Sequence, residues 1–160
     1  MRHGYPGPYI GDRAKDDLRS LADDGVDAVT AMAAWMADTK RNYIPTSIAC
    51  SPIKRCVQTA KIMSDAFGIK FTIDPNLSIG KPLDMVLKSY ADDKSISRPL
   101  IIAHSDNLRP GLARLNYVTK EEIDPHAMAE LRIIKLSRKD YTWKEKLRQL
   151  PSDLGCVDYF

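Results

Sequence analysis

The sequence predicts an α/β fold, a three-layer sandwich with a mainly parallel central sheet and helices on both faces. Three observations lead to it. Short apolar runs without alternation, Ser47-Ile48-Ala49-Cys50 and Pro99-Leu100-Ile101-Ile102-Ala103, read as strands buried on both faces. Segments with helical apolar spacing follow them, so strand and helix patterns alternate along the chain. Both runs stop at a polar turn, Ser51-Pro52 and His104-Ser105. Parallel sheets place their ligands at such carboxyl ends.

In order, Tyr5-Pro6-Gly7-Pro8 reads as a loop, and residues 21–39 read as a helix. Val26, Val29, Ala33 and Met36 recur there at helical spacing, with Trp35 adding bulk beside them. The strand that ends at Cys50 is stopped by Pro52. A helix over residues 53–67 closes with Gly68 at C′. Residues 69–73 alternate apolar and polar, as a strand does. Residues 82–90 carry Leu83, Val86, Leu87 and Tyr90 on one face of a short helix with proline in its first turn. After the strand at 99–103, Leu108, Leu112 and Leu115 mark a helix that tolerates Pro110 near its start. Residues 131–136 read as a strand, Arg138-Lys139-Asp140 as a turn and residues 141–147 as the partner strand. Nothing is assigned after Pro151.

The 160 residues suit a single domain spanning 1–160. Hydrophobic residues at 44% and charged residues at 28% are usual for a globular chain. A net charge of +3 is too small to argue for nucleic acid, yet it fits a partner that carries phosphate. No apolar run approaches the roughly 18 residues of a membrane span, and no signal peptide precedes the first residues. The cysteines, Cys50, Cys56 and Cys156, form no disulfide pattern; reduced thiols and a cytoplasmic location are expected.

The chemistry lies in Arg2-His3-Gly4, Arg55 and His104. An imidazole can attack phosphorus, guanidinium groups hold phosphate oxygens, and glycine permits close backbone approach. Arg55 and His104 follow strand ends of one parallel sheet and so can face one crevice, where helix N-termini favour a phosphate dianion. Two arginines and two histidines around one anion suit phosphoryl transfer, which depends on positioning and charge stabilisation. A cysteine phosphatase needs C-x5-R. Cys50 to Arg55 is one residue short, and Pro52 lacks an amide donor that such a loop requires. There is no HExxH, no CxxC and no carboxylate cluster at ligand spacing, so no metal or other cofactor is expected.

These motifs resemble those of the histidine phosphatase superfamily, the phosphoglycerate mutase-like clan. Arg2-His3-Gly4 matches its signature tripeptide, and Ser51-Pro52-Ile53-Lys54-Arg55-Cys56-Val57-Gln58-Thr59-Ala60 matches its S-P-x-x-R-x-x-Q-T-A motif. Ile101-Ile102-Ala103-His104 resembles the strand that delivers the family's second histidine. Arg19 to Gly25 with Met32 to Met36 resembles the small SixA-type phosphohistidine phosphatases. The resemblance implies that His3 is a nucleophile carrying a covalent phosphoryl group, that Arg2 and Arg55 grip phosphoryl oxygens, and that His104 donates to them. It implies a partner that is a phosphorylated protein, with a small phosphorylated metabolite (a sugar or nucleotide phosphate) or mere phosphate binding as the alternatives. It also implies a first strand ahead of the tripeptide, which is missing before residue 1. For a proton donor it offers only Asp84 and Asp106, neither at the family's usual place. His126 reads as a surface residue near Pro125, and Lys120-Glu121-Glu122 and Asp92-Asp93-Lys94 as solvated faces.

Overall fold

A computed structural model describes residues 1–38, 43–137 and 139–157. Thr39 at the end of the expected first helix, Arg138 of the expected turn and the last three residues lie outside this range. The elements are α1 Arg13–Asp17, α2 Asp23–Ala37, β1 Ser47–Cys50, α3 Lys54–Phe67, β2 Phe71–Ile73, α4 Leu83–Asp92, β3 Pro99–Ile102, α5 Ser105–Asn116, β4 Leu131–Leu136 and β5 Trp143–Gln149.

Strands β2, β1 and β3 form a parallel sheet in that order, with Ile48 opposite both Phe71 and Leu100. The continuous apolar runs follow from burial of both faces. Ile48, Cys50, Leu100 and Ile102 pack with Val29, Met32 and Met63 of α2 and α3. Ala49, Ile101 and Ala103 point the other way, onto Leu83 and Val86 of α4 and Leu108 of α5. Successive residues of each strand thus feed opposite layers. Helix α3 stops where expected, because Gly68 takes a left-handed φ of 67° and its N–H caps the Ser64 carbonyl.

Three expectations need correction. Val26 is 38% exposed; the inward stripe of α2 is Gly25, Ala28, Val29, Met32, Ala33 and Met36. The stripe is rotated because Gly25 must face the backbone of Tyr5. Strand β2 starts only at Phe71, as an edge strand. The C-terminal strand, turn and partner strand pair as the sequence suggests: β4 and β5 run antiparallel, in a sheet of their own. Strand β5 begins two residues later than expected because Tyr141 turns the chain with φ 59°, and Ser137 N–H closes the turn on Thr142 O.

Residues 1–3 stitch these two sheets together. Ala103 N–H donates to Met1 O at 3.1 Å and His3 N–H to Ala103 O at 3.2 Å. On the other side, Arg2 N–H donates to Glu130 O at 3.2 Å and Ala129 N–H to His3 O at 2.9 Å. Behind this stitch an apolar groove of about 510 Å³ runs between β3 and β4, lined by Leu87, Tyr90, Leu112, Leu131 and Ile133 among others. Among the described residues, no helix is long and apolar enough to cross a membrane.

Candidate active site

Because Cys50 pairs with Ile102 in parallel, Ser51 and His104 leave the sheet at the same edge. They meet there: Ser51 Oγ lies 2.9 Å from His104 Nε2, and both residues are buried. His3 reaches that edge from the stitch beside β3. Its ring centroid is 5.1 Å from that of His104. Arg55, in the first turn of α3, donates from Nε to His3 Nε2 at 3.2 Å. Arg2 donates from Nη1 to the carbonyl of His126. The four residues singled out in the sequence therefore share one crevice.

His3 Nδ1 lies 2.7 Å from Gly4 O. A carbonyl only accepts, so Nδ1 carries the proton and Nε2 keeps a lone pair. Burial holds the His3 pKa well below the ordinary imidazole value; His104 and the guanidinium groups of Arg55 and Arg2 add to this against the opposing Gly4 bond. Burial, then Arg55 and Arg2, lower His104 to about 3. Burial also lowers Arg2, although the charges of Asp106 and Glu130 oppose it. Both imidazoles are thus neutral and stand among guanidinium cations. Arg2 Nε and His104 Nδ1 are buried with no hydrogen-bond partner among the described residues. Buried orphans of this kind are rare and unfavourable, and an anionic oxygen acceptor would satisfy them.

The S-P-x-x-R-x-x-Q-T-A motif can be read atom by atom. Ser51 tethers His104 and Arg55 reaches His3. Gln58 Oε1 accepts from Leu21 N–H at 2.7 Å. Thr59 Oγ1 accepts from Gly4 N–H at 3.1 Å and donates to Arg55 O at 2.8 Å. Ala60 is core. The glycine of the tripeptide serves packing: a Cβ on Gly4 would stand 2.8 Å from both Gly25 O and Val29 Cγ2.

Sequence reasoning missed several supporting residues. His126 is not on the surface; it is 1% exposed, and burial pushes it down to about 2. Glu130 is fully buried and paired with Arg132 and Arg148. Asn107 Oδ1 accepts from His104 N–H at 3.1 Å, and its amide donates to Leu77 O at 3.0 Å, fixing the turn. An asparagine three residues after a strand-ending residue is the one signal that points to it. Of the two acids, Asp84 is bound to Arg114 at 2.6 Å, whereas Asp106 lies exposed in the first turn of α5, within electrostatic reach of Arg2. Cys50 is a core residue whose thiol burial raises to about 12, far from a reactive thiolate.

The sequence profile of the histidine phosphatase superfamily (branch 1) matches residues 2–78, the stretch that holds Arg2, His3 and Arg55. The match to that superfamily spans just under half of the chain. No curated protein matches it in sequence. Among solved structures, this chain is similar to the protein histidine phosphatase SixA complexed with tungstate, with TM-score 0.79, 20% identity and 96% of each chain covered. It is similar to a mycobacterial glucosyl-3-phosphoglycerate phosphatase, with TM-score 0.65, 15% identity, and 91% of this chain and 94% of that one covered. A phosphoglycerate mutase from Plasmodium falciparum matches with TM-score 0.62 and 19% identity over 79% of this chain and 83% of its own. Likeness at these identities establishes the fold, a phosphoglycerate mutase-like α/β sandwich.

Proposed function

We propose that this protein is a histidine phosphatase that transfers the phosphoryl group of its substrate to His3 Nε2 and then to water, without a metal, and that its substrate is a phosphohistidine protein. The observation that carries this reading is the His3 tautomer: Nδ1–H is committed to Gly4 O, so Nε2 carries a lone pair, which accepts from Arg55 Nε–H here and needs no loss of a proton to attack phosphorus. In the first step Nε2 bonds to phosphorus, and the bond from phosphorus to the leaving atom breaks with its electron pair. Arg2, Arg55 and His104 donate to the phosphoryl oxygens and offset their charge. In the second step a water oxygen bonds to phosphorus, its proton passes to solvent, and the bond to Nε2 breaks, restoring neutral His3.

The leaving group decides between substrates. An alkoxide leaves poorly without an acid, and no carboxylate is hydrogen-bonded to His3 or His104 among the described residues. A phosphohistidine ring protonated from solvent on its other nitrogen, whose ordinary pKa is about 6.5, leaves as neutral imidazole, so no enzyme acid has to supply a proton. The likeness to SixA, named a protein histidine phosphatase, supports the same choice. The glucosyl-3-phosphoglycerate phosphatase favours the other reading, a small phosphorylated metabolite. The test compares turnover of a phosphohistidine protein with that of a simple phosphate ester and traps the intermediate. Acid-labile, base-stable phosphate on His3 and faster turnover of the phosphoramidate are expected. Faster turnover of the ester would assign a metabolite, and absence of both trapping and turnover would leave a phosphate-binding protein.

A further inference from the structure

We infer that Asp16 is a positioning residue: it fixes the Arg55 guanidinium so that one edge faces the reacting nitrogen of His3. Asp16 is the penultimate residue of the short helix α1 and is 8% exposed. It holds Arg55 twice. Arg55 Nη1 donates to Asp16 O at 2.9 Å and lies 3.3 Å from the carboxylate Oδ2. Arg55 is itself 4% exposed, so protein groups and not bulk water orient it. Covalent geometry then fixes the direction of the free edge. Nη1 stands on the Cδ side of the guanidinium, while Nε–H and Nη2 form the opposite edge. With Nη1 committed to Asp16, the Nε edge turns to His3 Nε2, where Nε already lies at 3.2 Å. A phosphoryl group on Nε2 would meet that edge as a side-on fork, the geometry that suits guanidinium recognition of an oxyanion.

Asp16 also ties this edge to the loop beside the site. Its carboxylate pairs with Arg19. Arg19 Nη1 in turn reaches the carbonyls of Gly7 at 2.7 Å and Pro8 at 2.6 Å. One carboxylate thus joins the loop after the tripeptide to the arginine of the second motif. The role is indirect, since Asp16 acts through Arg55.

The inference rests on the reading of His3 as nucleophile. The experiment is a double-mutant cycle of Asp16→Asn and Arg55→Ala, read by kcat/KM and by the inhibition constant of orthovanadate, with His3→Ala beside them. Asp16→Asn should lower kcat/KM about 10–100-fold and weaken orthovanadate by a similar factor. Adding it to Arg55→Ala should change neither quantity by more than about twofold, because the guanidinium that it positions has gone. Asp16→Glu, which keeps the charge, should recover part of the loss and stands in if Asp16→Asn does not fold. Additive losses, or wild-type orthovanadate affinity in Asp16→Asn, would overturn the inference by reducing Asp16 to a stabilising ion pair. If His3→Ala is inactive while the losses add, only the Asp16 role fails. If His3→Ala keeps its activity, the nucleophile reading fails whatever the cycle gives.

Discussion

At the level of single residues, His3 and His104 are unusual in being neutral where they stand. Burial keeps both imidazoles deprotonated, and the adjacent guanidinium groups oppose a further positive charge. A free imidazole would be half protonated near pH 6.5, and a nucleophile of that kind would lose activity just below neutrality. Here kcat/KM should stay level as pH falls from about 8 to about 5, with no inflection near 6.5. A pH–rate profile checks this; a single protonation near 6.5 abolishing activity would mean that His3 is hydrated in the free enzyme. The identities of Arg2, His3, Arg55 and His104 are legible in the sequence because each is part of a motif with a fixed place on a strand end. Asp16 and His126 are not, since their roles consist of what they touch across 39 and 124 residues.

Among elements, the crossing of the tripeptide over α2 is the tightest contact near the site. Gly4 and Gly25 face each other there, and a Cβ on Gly25 would stand 2.1 Å from Tyr5 O and 2.7 Å from Tyr5 N. Both near atoms are backbone, so nothing flexible can yield. Gly25→Ala should destabilise the protein by about 3 kcal/mol, which lowers Tm by roughly 6–12 °C for a chain of this size. It should also reduce activity by shifting Gly4, whose carbonyl sets the His3 tautomer. Thermal melts of the variant check the first effect, and an unchanged Tm would show that α2 can slide away. Helices and strands of the first two thirds are legible because period and punctuation agree, as with Cys50, Pro52 and Gly68. Strand β5 is misjudged by two residues because a left-handed Tyr141 has no signature in the chain. The stripe of α2 is misjudged because Gly25 looks neutral in any hydrophobic pattern, although its lack of a side chain is what turns that face inward.

For the molecule as a whole, buried neutral imidazoles make stability depend on pH. His104 is lowered to about 3 and His126 to about 2, against 6.5 in an unfolded chain. Between those values the unfolded state binds protons that the folded state refuses, so stability falls as pH drops below 6.5. Each imidazole should remove on the order of 2 kcal/mol between about pH 7.5 and pH 5. Denaturant titrations at the two pH values test this, and equal midpoints would contradict the burial of both rings. Local pattern was enough for the α/β class, the strand-to-helix turns and the identity of the residues that meet in the crevice. These are properties of neighbours in the chain: apolar runs, caps, and side chains whose reactivity is intrinsic. Tertiary structure alone decided that β4 and β5 stand apart from the parallel sheet, that residues 1–3 join the two sheets, and that His3 is neutral with its lone pair on Nε2. Those outcomes depend on burial and on bonds between distant segments, which no run of neighbouring residues encodes.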